Sequence, residues 1–324
     1  MGEDLSAAQI ATDVERASEA IAPYIRETPV ERSPFLSKAT GSDVYLKFEN
    51  FQVTGSFKAR GAFNALLSLT QEEKQGGVVT SSTGNHANAM AHALSVLGIE
   101  GEILLPLNAS PAKIEALEAR GANLRLIEGD PNETDLVARR LAEQTGRVFV
   151  SAYNDRRVIA GQGTVASELE RQLDGFDAIF VPVGGGGLIA GIAGYLASKK
   201  TEVIGCQAAA SPVMAKSVEA GGLVDVPWES SLSDATVGPL EQGTLTLPIC
   251  IDHVDKWILP DEDEIAEALR LVLGRHSVMV EGAAVLSVAA LLKESGEFSG
   301  RRTVLVISGS RIPLDVLDRV LQQT

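Results

Sequence analysis

From about residue 44 onward, short runs of β-branched and aliphatic residues alternate with stretches whose apolar positions recur at helical spacing. The alternation predicts strands over 44–48, 77–81, 102–105, 124–128, 148–151, 178–183, 203–207 and 304–308. Between them the pattern predicts helices over 61–69, 87–97, 111–119 and 188–197. A further helix is expected over 262–273, because Pro260-Asp261-Glu262-Asp263 places acids where a helix N-terminus favours them. Strands that alternate with helical stretches indicate βαβ units and parallel pairing, hence an α/β fold. Residues 221–255 carry turn formers and no clear period, and read as an irregular surface connection where a substrate-covering loop could also lie. No internal repeat, low-complexity block or long linker interrupts the chain.

Composition narrows the class. At 324 residues, and with roughly 150 residues per domain as a prior, two domains are expected. The 45% hydrophobic and 22% charged fractions are those of an ordinary globular protein rather than a disordered one. Against 43 acidic side chains stand 28 basic ones, a net charge of −15. That balance argues against a nucleic-acid partner and against attraction to an anionic membrane. The longest apolar runs, such as 188–197, fall well short of the ~20 residues a membrane helix needs. Residues 1–16 are mixed and acidic, with neither a signal-peptide core nor a basic transit helix. Cys206 and Cys250 stand alone, which suggests small buried hydrophobes in a reducing, cytoplasmic setting. The expectation is a soluble protein that handles a small molecule.

Glycine is the informative excess, with 31 residues gathered at particular joints. Gly184-Gly185-Gly186-Gly187 follows a strand-like run and opens the stretch at Leu188. Such a joint lets a phosphate approach the backbone at the positive end of a helix; its plainer reading is a tight turn. No Gly-Lys-Ser/Thr follows, so it is not a Walker A loop, and no acidic ribose partner is evident. In Thr54-Gly55-Ser56-Phe57-Lys58-Ala59-Arg60-Gly61-Ala62 a lysine stands just inside a helix start, the end that disfavours cations. Taken by itself it would be a surface lysine. Ser81-Ser82-Thr83-Gly84-Asn85-His86-Ala87 is a loop dense in small donors, either a carboxylate nest or a capped helix. Ser308-Gly309-Ser310 closes the last strand and alone signals only a turn.

Taken together with Ala160-Gly161-Gln162-Gly163-Thr164, these segments carry a resemblance across nearly the whole chain. The sequence resembles the fold-type II pyridoxal-phosphate enzymes, specifically the threonine dehydratase and serine racemase branch. The resemblance implies two domains, each a twisted, mostly parallel sheet flanked by helices. The larger is expected from 1–75 plus 155–324 and the smaller from 76–154, with no C-terminal regulatory domain. Lys58 matches the Schiff-base lysine, and Phe57 lies beside the cofactor ring in the family. Gly184, Gly185, Gly186, Gly187 and Leu188 match the phosphate loop. Asn85 matches the partner of the pyridine 3-oxygen, and Ser308 the partner of the ring nitrogen. A hydroxyl at that last place makes the ring a milder electron sink than a carboxylate would, which suits elimination better than transamination. Ser82, Thr83, Gly84, Asn85 and His86 match the loop that receives the substrate carboxylate, and Asn154 a further substrate contact.

The implied reaction is loss of water from a small 3-hydroxy-amino acid such as threonine or serine, giving a 2-oxo acid and ammonia. Lys58 is the base toward the α-proton. Serine racemase and 3-hydroxyaspartate dehydratase are alternatives within the branch, and a β-replacement enzyme or a dinucleotide-binding protein are more distant ones. Thr83 stands where racemases place a serine as a second base, so racemisation is expected only as a side activity. Gln207 and Val213 stand where metal-dependent relatives have carboxylates, so no metal is expected. Glu281 falls where the family has a glutamate near the cofactor, and equally reads as an acid at a helix start. Side-chain selection is expected from Pro239, Leu240 and Glu241, or from Arg156 and Arg157. A homodimer is implied by the family alone.

Overall fold

The computed structural model describes residues 5–322. Ten strands form two sheets: β1 (Val30–Arg32), β2 (Asp43–Lys47), β3 (Val78–Ser81), β4 (Gly101–Pro106), β5 (Asn123–Ile127), β6 (Val148–Phe149), β7 (Ala178–Pro182), β8 (Glu202–Cys206), β9 (Lys256–Ile258) and β10 (Arg302–Val306). The larger sheet has the order β1-β2-β10-β7-β8-β9 and the smaller β5-β4-β3-β6. Every pairing is parallel except β1 with β2. The smaller sheet is drawn from consecutive strands, whereas the larger combines chain from both sides of it.

The strand sequences explain the layering. A parallel strand covered by helices on both faces carries apolar residues continuously rather than alternately. In β7, Ala178 and Phe180 join one buried cluster with Leu36, Leu286 and Phe298, while Ile179 and Val181 join another with Ile10, Ile189 and Val304. A third cluster, around Phe63, Met90 and Ile103, lies beneath the smaller sheet.

Several elements depart from the sequence pattern. The helix expected from 61 begins at Lys58, and the one expected from 87 begins at Asn85. Both start directly at the chemistry-bearing residue, which the apolar pattern does not mark. The stretch 221–255 is irregular only in part, since Thr246–His253 is helical with Leu247, Ile249 and Cys250 buried. The helix over Glu262–His276 has the expected start, a capping box in which Asp261 and Glu264 satisfy each other's backbone N–H.

Two features place the site. β7 continues on one side to β8 and β9, and β10 returns to its other side, so the β7–β10 seam is a topological switch point. Ligands in open parallel sheets bind beyond the carboxyl ends of strands at such a seam. The second feature is close helix packing. A Cβ on Gly161 would stand 2.6 Å from the Arg60 carbonyl oxygen and from Gly61 Cα, so the helices Lys58–Leu67 and Arg156–Gln172 touch backbone to backbone.

Candidate active site

The carboxyl ends of β7 and β10 run directly into Gly184–Gly187 and Ser308. Leu305 pairs with Phe180, and continuing that register three places sets Ser308 level with Val183, at the mouth of the glycine run. Ser308 is buried. Its carbonyl accepts from Phe57 N–H at 3.1 Å, Ser310 N–H donates to the Gly55 carbonyl at 3.0 Å, and Ser56 bridges Gly309. The turn before Lys58 is thereby zipped onto the turn after β10, which fixes where the lysine helix starts.

The four glycines are each enclosed. A side chain on Gly184 would meet Thr236 backbone, on Gly185 the Tyr153 ring, on Gly186 the ends of Met214 and Thr246, and on Gly187 the Tyr153 backbone. Gly186 has φ +88°, a conformation that glycine adopts without penalty, and serves as N-cap of the ten-residue helix Gly187–Leu196. Thr246 Oγ1 pins the loop by donating to the Gly185 carbonyl at 2.8 Å. Leu188 is buried behind it. The result is a cradle of backbone N–H groups at a helix start, held open by its surroundings.

Lys58 is half-buried, and its Nζ donates to the Ala152 carbonyl at 2.8 Å. Burial lowers its pKa to about 8, against the opposing pull of the Glu281 carboxylate. Nζ lies 5.2 Å from the centroid of the Phe57 ring. Glu281 is buried too, and burial raises its pKa to about 7 although Asn85 and the Arg311 N–H hold it down. Asn85 Nδ2 donates to Glu281 Oε1 at 2.8 Å and to Oε2 at 3.1 Å. Of the two readings of Glu281, the geometry favours the site: it makes no side-chain cap to the following helical turn. Asn85 Oδ1 is buried without a partner among the described residues.

The loop 82–84 precedes the helix Asn85–Leu97, whose first N–H groups have no intrahelical acceptor and no side-chain cap. Ser82 Oγ accepts from Gly84 N–H at 3.2 Å, and Ser82, Thr83 and Gly84 are half-buried. His86 turns inward: it is 2% exposed, with Nε2 3.0 Å from Thr80 Oγ1. Asn154 has both ends of its amide engaged, Nδ2 donating to Glu241 Oε2 at 2.8 Å and Oδ1 accepting from Leu245 N–H at 2.9 Å. Arg156 pairs with Asp13 through Nε at 2.7 Å and Arg157 with Asp155 at 2.6 Å. Gln207 is buried and accepts from Ala215 N–H at 3.0 Å, holding the start of the helix Val213–Glu219. Val213 is buried in the adjoining core.

These residues fit pyridoxal phosphate. The glycine cradle at a helix start would hold a phosphate, Asn85 Oδ1 is a buried polar atom with no partner among the described residues, and Ser308 is a buried serine at the mouth of the cradle. The sequence of the pyridoxal-phosphate dependent enzyme family matches residues 21–309. The chain belongs to that family. It is 37% identical over 314 residues to an L-threonine ammonia-lyase of Thermotoga maritima, covering 96% of this chain and 78% of that protein. It is 34% identical over 307 residues to a beta-hydroxyaspartate dehydratase of Paracoccus denitrificans, covering 94% and 97%. The crystal structure of serine racemase from Dictyostelium discoideum superposes with a TM-score of 0.88 at 32% identity, covering 94% of this chain and 98% of that one. The enzyme therefore has the fold-type II architecture and uses pyridoxal phosphate.

Sequence reasoning missed the packing residues of the site. Tyr153 and Thr246 brace the glycine loop, Ala152 seats the lysine, and Thr80 holds His86. Tyr153 could have been flagged by its neighbour Asn154. The others carry no local signal, because a carbonyl or a threonine hydroxyl gains its role only from what folds against it. Among the described residues no helix is long and apolar enough to cross a membrane.

Proposed function

We propose that this enzyme is an ammonia-lyase that removes water from a small, neutral 3-hydroxy-amino acid such as threonine or serine, releasing a 2-oxo acid and ammonia. The observation that carries the reading is the convergence of Lys58, the Gly184–Gly187 cradle and a serine, not a carboxylate, at the β7–β10 seam. In this reading Lys58 carries the cofactor and Gly184, Gly185, Gly186, Gly187 and Leu188 hold its phosphate. Phe57 lies beside the ring, Asn85 bonds its 3-oxygen and Ser308 its nitrogen. When bound, the cofactor draws off the electron pair left behind as the substrate α-proton departs.

The remaining work falls to the chain. Ser82, Thr83, Gly84, Asn85 and His86 form the loop that receives the α-carboxylate, through hydroxyls and the unpaired N–H groups of the helix start. Asn154 lies at its edge. Released from the cofactor, Lys58 takes the α-proton. With its pKa pulled down to about 8, the amine is neutral in part of the population near neutral pH, as a base must be. The carbon–oxygen bond at the β-position then breaks while the leaving hydroxyl takes up one proton, balancing the one that Lys58 removed, and departs as water. The enamine tautomerises to an imine, and its hydrolysis by one water separates the 2-oxo acid from ammonia. Thr83 is the group able to move a proton on the other face, and its methyl, which a serine lacks, keeps racemisation secondary. A neutral side chain is favoured over a second carboxylate because Arg156 and Arg157 are already paired.

In the same proposal the larger domain comprises residues 1–75 and 155–324 and the smaller 76–154. The working form is a cytoplasmic homodimer, without a metal. Assaying 2-oxo-acid release across a panel of 3-hydroxy-amino acids tests the reading. Threonine or serine should lead, and 3-hydroxyaspartate in the lead would overturn the choice of a neutral substrate. Lys58→Ala should lower turnover by about 10²–10⁴-fold; full activity in that variant would overturn the assignment of the base.

A further inference from the structure

His86 carries a proton question that hydrogen-bond counting answers. Thr80 Oγ1 lies 2.8 Å from the Val150 carbonyl oxygen and 3.0 Å from His86 Nε2. A hydroxyl has one proton, and a carbonyl oxygen can only accept, so that proton goes to Val150. Thr80 must then accept from His86, which places the imidazole proton on Nε2. The other ring nitrogen, Nδ1, is left as a bare acceptor. It is buried, with no partner among the described residues. Burial and the nearby Lys58 charge press the His86 pKa down to about 3, so the ring stays neutral.

The Lys58 amine is seated on the same short segment as Thr80, the residue that bonds this ring. Thr80 bonds the carbonyl of Val150 and Lys58 bonds that of Ala152, so one three-residue segment seats both side chains. A bare lone pair repels a carboxylate and attracts an N–H group. We propose that Thr80 is a positioning residue that locks His86 as the Nε2–H tautomer, so that Nδ1 accepts a hydrogen bond from the Lys58 amine after it gains a proton. Loss of the Thr80 hydroxyl removes the acceptor that holds Nε2–H and lets the proton move to Nδ1, which would then meet the lysine as a donor rather than an acceptor. His86 thereby has a role different from carboxylate recognition through its ring, although its backbone remains in the carboxylate loop.

Only the kinetic part of this inference rests on the proposed elimination. The test is nitrogen NMR of the holoenzyme grown with isotope-labelled histidine; the chain has four histidines, and His86→Gln assigns the signal. The wild type should show Nε2 protonated and Nδ1 bare. Thr80→Val should mix the tautomers and lower kcat about tenfold with KM held within about twofold, the loss of one buried hydrogen bond. Thr80→Ser should restore both. A protonated Nδ1 in the wild type overturns the proposal, as does Thr80→Val with the tautomer and kcat unchanged. If Thr80→Val does not fold, the wild-type spectrum still decides the tautomer. If the wild type releases no ammonia from any 3-hydroxy-amino acid, the elimination reading fails while the spectrum stands.

Discussion

Two carboxyl-and-amine settings at the centre of the site are tuned in opposite senses. Burial holds Glu281 up at about 7 and Lys58 down at about 8, and the Glu281 charge moderates the Lys58 shift. Glu281→Gln removes the carboxylate that supports the Lys58 ammonium, so the lysine pKa should fall further. In the cofactor-free protein the same variant should gain stability at pH 8. A carboxyl raised from 4.5 to about 7 binds more protons folded than unfolded in that window, so it weakens the fold as pH rises through it. Urea midpoints of the two proteins at pH 5 and pH 8 check this: the difference should appear only at the higher pH. His86 has the opposite sign. Its pKa falls from 6.5 to about 3, so the unfolded chain binds the extra proton and stability is lost as pH falls below 6.5. Between pH 6.5 and pH 5 the loss attributable to His86 should be roughly 2 kcal/mol, and His86→Gln should flatten that slope in urea titrations.

At the scale of elements, the helix carrying Lys58 is seated by charges as well as by close packing. Arg60, two places beyond the lysine, bonds Glu49 through Nη2 at 2.7 Å and Glu168 at 2.9 Å, and Lys47 reaches the same Glu168. All four are buried, and two cations balance two anions. Removing one partner from such a cluster leaves an uncompensated charge and costs about 3–5 kcal/mol. Glu168→Gln should therefore lower the urea midpoint and the yield of folded protein, whereas the exposed pair Lys216–Glu219 should be dispensable by the same measure. Gly161→Ala would drive a methyl into the Arg60 carbonyl and part the two helices. It should cost about 1–3 kcal/mol and weaken cofactor retention, seen as lost visible absorbance on dialysis. Here the sequence was legible in its joints and opaque in its core. The glycine run, the lysine turn and the asparagine loop are contiguous, so their chemistry can be read locally. Lys47, Glu49, Arg60 and Glu168 are spread over four elements, and each looks like a solvated charge until the fold brings them together. The bounds drawn from the apolar stripe, at 61 and 87, fall short of the helix starts at Lys58 and Asn85 for a related reason, since the first residues serve the site rather than the stripe.

For the molecule as a whole, the two sheets meet across a cleft that local periodicity could not describe, because relative placement depends on contacts between distant segments. Arg139, on a helix covering the smaller sheet, bonds Glu241 at 2.6 Å, from the stretch that follows the larger sheet's β8. Glu241 also accepts from Asn154 at 2.8 Å and from Ser151 at 3.3 Å, and its N–H donates to the Tyr153 hydroxyl at 2.9 Å. Tyr153 in turn packs on Gly185 and Gly187. One carboxylate therefore joins the smaller sheet's helix to the brace of the phosphate cradle. Since Arg139 and Glu241 are each about one-third exposed or less, the pair is partly screened by salt and contributes little to global stability. Its effect should appear in substrate handling instead. Arg139→Met should leave the urea midpoint within about 1 kcal/mol of wild type, yet raise KM for threonine by severalfold, because Glu241 loses its cation while still holding the Asn154 amide. Glu241→Gln, which keeps hydrogen bonds but not the charge, should fall between the two proteins. Steady-state kinetics at low and high salt separates the terms: salt should raise the wild-type KM toward that of Arg139→Met and leave the variant nearly unmoved. An equal salt response in both proteins would mean that this ion pair does not couple the two sheets.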